Sequence, residues 1–312
     1  MKCVIIDSGI NNINHSNIID KKAFVIEDGL IVERNDVTDM DGHGTACYDI
    51  INKYYKNAQY IILKILEKGR GSALQLEAAL EYCMSIECEI INISMSIVDE
   101  IKRPKALDDL LKKLCVEKKV IIVSSYPNNG RSGFPASSKY VWGIKGEVME
   151  DYEWEIINRN EKSKDLLINI IPERTNRSNG VYYFFGGNSK ATAIAAALIM
   201  EQLDDGVSKK DLFELKSFNR QRLSWEKYIK NNILHSIKNN NYYRLSDCLG
   251  LNGIEENEDL ISQGYIRPDN ILSIVKKIEK EYHIAIGENI KFSDFISIGN
   301  IARLVNNNGG SI

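Results

Sequence analysis

"GGNSKATAIAAAL", residues 186–198, sets two glycines, an asparagine and one serine ahead of an almost unbroken run of small apolar residues. A run that is apolar nearly all round, continuing as "KATAIAAALIMEQL", is expected of a helix enclosed on several sides. Ser189 is then either the polar start of a buried helix or a nucleophile held where that helix begins. The sequence upstream shows what the helix belongs to. "KCVIID", "AQYIILKIL", "CEIINISMS" and "KKVIIVSS" are strand-like, and between them residues 45–55, 72–86 and 106–117 carry helical periodicity. This alternation predicts an α/β fold, a parallel sheet covered by helices on both faces.

Composition narrows the function classes. The 312 residues carry a net charge of -3 at pH 7, with the charges dispersed, so nothing favours nucleic acid or an anionic membrane. No segment reaches the apolar length of a membrane span, and the apolar stretch before Asp7 is too short for a signal peptide. The expected location is the cytoplasm. The 6 cysteines (Cys3, Cys47, Cys83, Cys88, Cys115 and Cys248) lack CxxC spacing and lie mostly in apolar patterns. Reduced, buried thiols are expected, with no disulfide framework and no zinc site.

Three stretches fall near strand ends, where an open α/β sheet presents its ligand sites. "VIIDSG" puts Asp7 at the end of the first strand, "DGHGTA" puts His43 at a helix start, and "GGNSKA" does the same for Ser189. Serine attack on a carbonyl needs a base, and the base needs a carboxylate that fixes its tautomer and stabilises the imidazolium. Asn128, in "VIIVSSYPNNG", offers an amide donor for the resulting oxyanion, and the Ser189 backbone N–H offers a second. Each residue alone has a plainer reading: Asp7 as a turn cap, His43 as a structural histidine, Asn128 as a turn residue.

Together, the order Asp, His, Ser and the strings "VIIDSGI", "DGHGTAC" and "GGNSKATA" resemble the subtilisin-like serine proteases over about residues 2–215. "VIIVSSYPNNGRSGFPAS" resembles the family's oxyanion-asparagine segment with its proline turn at Phe134-Pro135, and "INIIPER" a later proline motif. The resemblance implies that a peptide substrate pairs along Ser94, Met95 and Ser96. It also implies a pocket beside Ser125 and Tyr126 for the residue before the scissile bond. The family's Met, Pro and His after the serine are replaced by Lys190, Ala193 and Ile194, while Tyr126 and Pro127 stand where small residues normally precede the asparagine. Tyr126 and Ser96 are expected to narrow the pocket, giving a preference for a small residue there. The sequence leaves open whether the family's calcium sites survive, since no dense carboxylate loop is present, and no metal ligand is assigned. Secreted relatives carry a signal and a folding propeptide; here the aspartate strand begins at residue 2, so folding without a propeptide is expected.

Residues 259–304 resemble an acyl or peptidyl carrier protein domain. The family's Gly-x-Ile-Asp-Ser string becomes Gly264, Tyr265, Ile266, Arg267, Pro268, which removes the hydroxyl that would carry phosphopantetheine, so no such cofactor is expected. Ile271, Ile274, Val275, Ile278 and Tyr282 recur at helical spacing. The expected organisation is a catalytic domain at 1–215, a helical linker at 216–245, a carrier-protein-like helical domain at 246–307 and a disordered tail at 308–312. The expected function is a serine endopeptidase for a dedicated peptide, such as the leader of a ribosomally made peptide, with the C-terminal domain docking substrate or a biosynthetic partner enzyme. The alternatives are a catalytically silent peptide-binding protein of the same fold and, more remotely, a thioester hydrolase.

Overall fold

The computed structural model describes residues 1–11, 15–97, 105–149, 154–160, 163–176, 182–212, 223–234 and 242–310. The apolar runs of the N-terminal part form β1 (Lys2–Asp7), β4 (Gln59–Lys64), β5 (Ile90–Ile93) and β6 (Ile121–Ser125). To these are added β2 (Ile18–Glu27), β3 (Leu30–Arg34), β7 (Trp142–Glu147), β8 (Trp154–Asn160) and β9 (Ser163–Asn169). They make one 9-stranded sheet in the order β3-β2-β4-β1-β5-β6-β7-β9-β8. All pairings are parallel except β2–β3 and β8–β9, which place antiparallel strands at the two edges.

Both faces of the central strands are buried, as a parallel sheet requires. Val4, Ile6, Ile61, Leu63, Ile91, Ile93 and Ile122 meet Leu76, Ala79, Leu80 and Cys83 of α2 (Ala73–Ser85) and Leu107, Leu111 and Leu114 of α3 (Lys105–Val116). The alternate residues Cys3, Ile5, Tyr60 and Ile62 are equally buried and face the other way, the side of α1 (His43–Tyr54) and α4 (Gly187–Asp204). α4 is enclosed as its composition predicts, with Ala191, Ala193, Ala195, Ala196, Ile199 and Met200 all at 0 % exposure. One charged group, Lys190, is buried with them. Helix ends follow the local sequence. Ser72 caps α2 in a reciprocal box with Gln75, while Gly42, at φ 78°, makes the turn into α1.

The chain divides into two compact units: Met1–Ile170, Asn176–Gly180 and Gly187–Gln221 form one, and Ile171–Thr175, Val181–Gly186 and Arg222–Ile312 the other. The expected boundary at residue 215 therefore misses a segment. β10 (Glu173–Asn176) and β11 (Tyr182–Phe185) pair as a separate two-stranded sheet, and Phe184 enters the second unit's core against Phe292 and Phe295. Arg174 stacks on Tyr182, with its guanidinium carbon 4.4 Å from the ring centroid, and donates to the Glu288 carbonyl at 3.1 Å. The expected linker at 216–245 lies partly outside the described residues. Its described part holds α5 (Trp225–Asn232), which is bonded into the second unit: the Asn300 amide donates to Asn232 O at 2.8 Å and accepts from Leu234 N at 3.1 Å. α6 (Tyr242–Leu249), α7 (Ile271–Tyr282) and α8 (Ile298–Asn307) complete that unit, and Ile271, Val275 and Ile278 are buried in its core. Asn308–Gly310, expected to be disordered, instead turn back on α8, with Gly310 N donating to Val305 O at 3.0 Å. The last two residues lie outside the described part.

Cys3, Cys47 and Cys83 are buried free thiols, while Cys88, Cys115 and Cys248 are free but only half-buried. Among the described residues, no helix is long and apolar enough to cross a membrane.

Candidate active site

Asp7 ends β1 and His43 begins α1, and the turn geometry brings them together. A side chain at Gly44 would place its Cβ 2.3 Å from Gly9 O and 3.2 Å from Asp7 Cβ, so only glycine lets the helix start press on the strand end. His43 Nδ1 lies 2.8 Å from Asp7 Oδ1. The same oxygen accepts from Ser8 N at 2.7 Å, and the Ser8 hydroxyl in turn accepts from Gly44 N at 2.9 Å. Asp7 is 1 % exposed and His43 is half-buried, so the carboxylate is sealed while the imidazole still reaches the cleft. Burial of the ring works against the imidazolium, but the Asp7 charge and the bond to Nδ1 outweigh it and raise the His43 pKa well above that of an ordinary histidine.

Two residues missed in the sequence reading hold this pair. Asp39 is buried, and its carboxylate accepts from Asp41 N (3.1 Å), Gly42 N (2.7 Å), Thr45 N (2.8 Å) and Thr45 Oγ1 (2.7 Å), fixing the loop that delivers His43. Its signal was a cap-type residue shortly before a helix start. Cys47, one turn beyond His43, donates its thiol to Asp7 Oδ2 at 3.7 Å, with Sγ 4.0 Å from His43 Nδ1. Burial first, and then the Asp7 charge, push the Cys47 pKa up, so it remains a thiol. Asp7, His43 and Cys47 are also a set that could hold a metal ion, their ligand atoms lying within 4.8 Å of one another. The 2.8 Å separation of nitrogen and oxygen is nonetheless that of a hydrogen bond, closer than two ligands about 2.0–2.2 Å from a tetrahedral zinc would sit.

Ser189 lies in the first turn of α4, and its hydroxyl donates to Ser94 O at 3.2 Å. Ser94 and His43 line the same groove. Asn128 follows β6 and is exposed; its Oδ1 accepts from Asn188 N at 2.9 Å, which leaves the amide's other end, Nδ2, as the donor. Gly187 permits this approach. Its φ is +73°, and a Cβ there would lie 3.1 Å from Asn128 Oδ1. The third missed residue, Asn188, ties the serine turn to its surroundings: its amide donates to Tyr126 O (2.8 Å) and Pro127 O (3.3 Å) and accepts from Gly146 N (2.7 Å).

Ser94, Met95 and Ser96 continue past the end of β5, and Ile97 is bonded both ways to Phe134 (2.8 and 3.1 Å). Ser96 Oγ donates to Ser125 O at 2.6 Å. Tyr126, expected to narrow the pocket, turns its side chain towards β7 and β9. Its hydroxyl donates to Asp165 Oδ2 at 3.1 Å, and its ring covers Gly143, where a Cβ would lie 2.5 Å from Tyr126 Cε2.

No protein family matches the chain in a comparison of sequences, and no curated protein matches it. Solved structures do. The prenylagaramide maturation protease PagA superposes with a TM-score of 0.50 at 22 % identity, covering 76 % of this chain and 83 % of that one. The self-cleaved protease domain of PatA gives 0.49 at 21 % identity, covering 66 % and 82 %. The chain thus has an α/β fold like that of subtilisin-like protease domains.

Proposed function

We propose that this chain is a serine endopeptidase acting on a dedicated peptide through Asp7, His43 and Ser189. The observation that carries the reading is the hydrogen-bonded Asp7–His43 pair, 2.8 Å apart, with Asp7 buried and His43 opening onto the groove lined by Ser94, whose carbonyl accepts the Ser189 hydroxyl. In this reading Ser189 Oγ attacks the peptide carbonyl while His43 Nε2 takes its proton. Asp7 holds the Nδ1–H tautomer and stabilises the imidazolium. The oxyanion meets the Asn128 amide and the Ser189 N–H at the start of α4. His43 then returns the proton to the leaving amine, and water, deprotonated by the same ring, releases the acyl group.

A role in peptide maturation, such as leader removal, is supported by the name of the fold neighbour PagA, a maturation protease. The second unit, with its carrier-protein-like string ending in Pro268, is proposed to dock the substrate or a partner enzyme without a phosphopantetheine arm. Incubation of a peptide library with the intact chain and with Ser189→Ala tests the activity. Cleavage products formed only by the intact chain are expected; identical fragments from both, or none from either, would contradict it.

A further inference from the structure

A second groove, of about 520 Å³, lies between α2 and the β2–β3 hairpin and shares no residue with the groove beside His43. Helical spacing puts Leu74, Glu77, Glu81 and Tyr82 on one face of α2. Gln75 holds that helix to the sheet, its amide donating to Phe24 O at 2.8 Å. The sheet contributes Phe24, Ile31 and Glu33, with Phe24 and Glu33 opposite each other across the hairpin. Apolar and acidic groups therefore line the groove together. Leu74 is 54 % exposed, an apolar side chain left open to solvent. Lys22 meets Glu33 at 2.6 Å, but among the described residues no ion pair meets Glu77 or Glu81, so the lining stays acidic.

The sheet beside this groove ends in an open edge, since β3 is last in the strand order. Asp28 and Gly29, at φ 50° and 80°, make a two-residue turn that closes the hairpin at Glu27 and Leu30. In such a hairpin Leu30 and Val32 bond to β2, so Ile31 and Glu33 turn their N–H and C=O groups outward. The same two residues send their side chains into the groove. A strand added at this edge would satisfy those backbone groups and lay its alternate side chains over the groove. We propose that the groove binds an extended segment of another polypeptide, added as a strand to β3, with an apolar side chain flanked at alternate positions by lysine or arginine. The apolar group meets Ile31 and Leu74, and the cations meet Glu77 and Glu81. A second copy of the chain fits poorly, because pairing two β3 edges would set Glu33 and its acidic neighbours against their own like. Ser72 and Leu76 of the same helix line the groove beside His43, so a segment docked here is held on a helix that also borders the cleft.

The test titrates the full Ser189→Ala chain, which also guards against cleavage of the probe, into fluorescent peptides and reads anisotropy. The probe has the sequence TKTLTKT; one control replaces both lysines by glutamate and another replaces the leucine by aspartate. The probe is expected to bind at least about tenfold more tightly than either control. Glu77→Lys/Glu81→Lys should weaken it by about tenfold or more with the thermal midpoint kept, since both side chains are at the surface. N-methylation separates strand addition from a purely ionic contact. Methylating the lysine and leucine amides, or instead the threonine amides, should weaken binding by about tenfold for one set and by less than about threefold for the other, because only alternate amides face β3. No binding of the lysine probe at about 1 mM, equal binding of the acidic control, an unchanged affinity in Glu77→Lys/Glu81→Lys, or equal effects of the two methylation patterns would each overturn the proposal. So would a chain that sediments as a dimer and becomes a monomer on Ile31→Lys, which would make a second copy the occupant.

Discussion

The carboxylate–imidazole half of the cleft draws on residues 7–47, whereas the serine–amide half gathers residues 94–189. In the first half, two buried carboxylates organise nearly everything: Asp7 accepts from His43 and Ser8, and Asp39 accepts from the backbone of the loop that delivers His43. In the second half, one asparagine side chain, Asn188, ties the serine turn to the segment after β6 and to β7. The first half is sealed and over-determined, suited to fixing where a proton goes. The second is more open, with Asn128 exposed. Damage to the first half should therefore change proton chemistry, and damage to the second should change how well the oxyanion is met.

The largest effect expected from either half short of removing the nucleophile is that of Asp7→Asn. With the wrong tautomer held, kcat should fall by about 10⁴-fold. The pH profile carries a second signature. Because Asp7 raises the His43 pKa, the ring keeps its proton above the pH at which a free histidine loses it, so under the proposed roles activity should rise late with pH. Removing that charge should move the acid limb of kcat/KM towards lower pH; an unmoved limb would break the assignment of the two roles.

Asn128→Ala should lower kcat by about 10²–10³-fold with little change in KM, because under the proposed roles it removes a donor used only when the oxyanion forms. A loss confined to KM would place Asn128 in ground-state binding instead. Asn188→Ala should cost up to about a hundredfold in kcat, through misplacement of Ser189 and Asn128 rather than loss of a reacting group. Steady-state kinetics alongside the thermal midpoint separate this from unfolding. Smallest for catalysis should be Asp39→Ala, which leaves buried N–H groups without their acceptor. About 1–3 kcal/mol of stability per unmet group is expected in urea unfolding, with most of the activity per folded molecule kept.

The two halves were also unequally legible in the sequence. Asp7 and His43 stand at ends of elements whose periodicity is plain, and the nearby glycines mark the turns that join them. Asn128 and Ser189 could be named from their strings, but the bonds that hold them run from 128 to 188 and from 146 to 188, separations on which local pattern is silent. The same limit explains Tyr126: its size was evident, but its partner, Asp165, lies 39 residues on. The β10–β11 segment was missed for a related reason. Phe184 sits in what reads as a continuation of the catalytic region, yet its burial depends on Phe292 and Phe295, more than a hundred residues away in the chain. Strand β8, "WEIINRN", is a polar-rich edge strand whose pairing with β9 does not show in an apolar run.

Covalent labelling with a fluorophosphonate, read by intact mass on the full chain and on Ser189→Ala, tests the central claim most directly. The account predicts a single adduct on the intact chain, absent from Ser189→Ala and sharply slowed in Asp7→Asn. A folded intact chain that takes no adduct, or a Ser189→Ala chain that takes the same one, would contradict it.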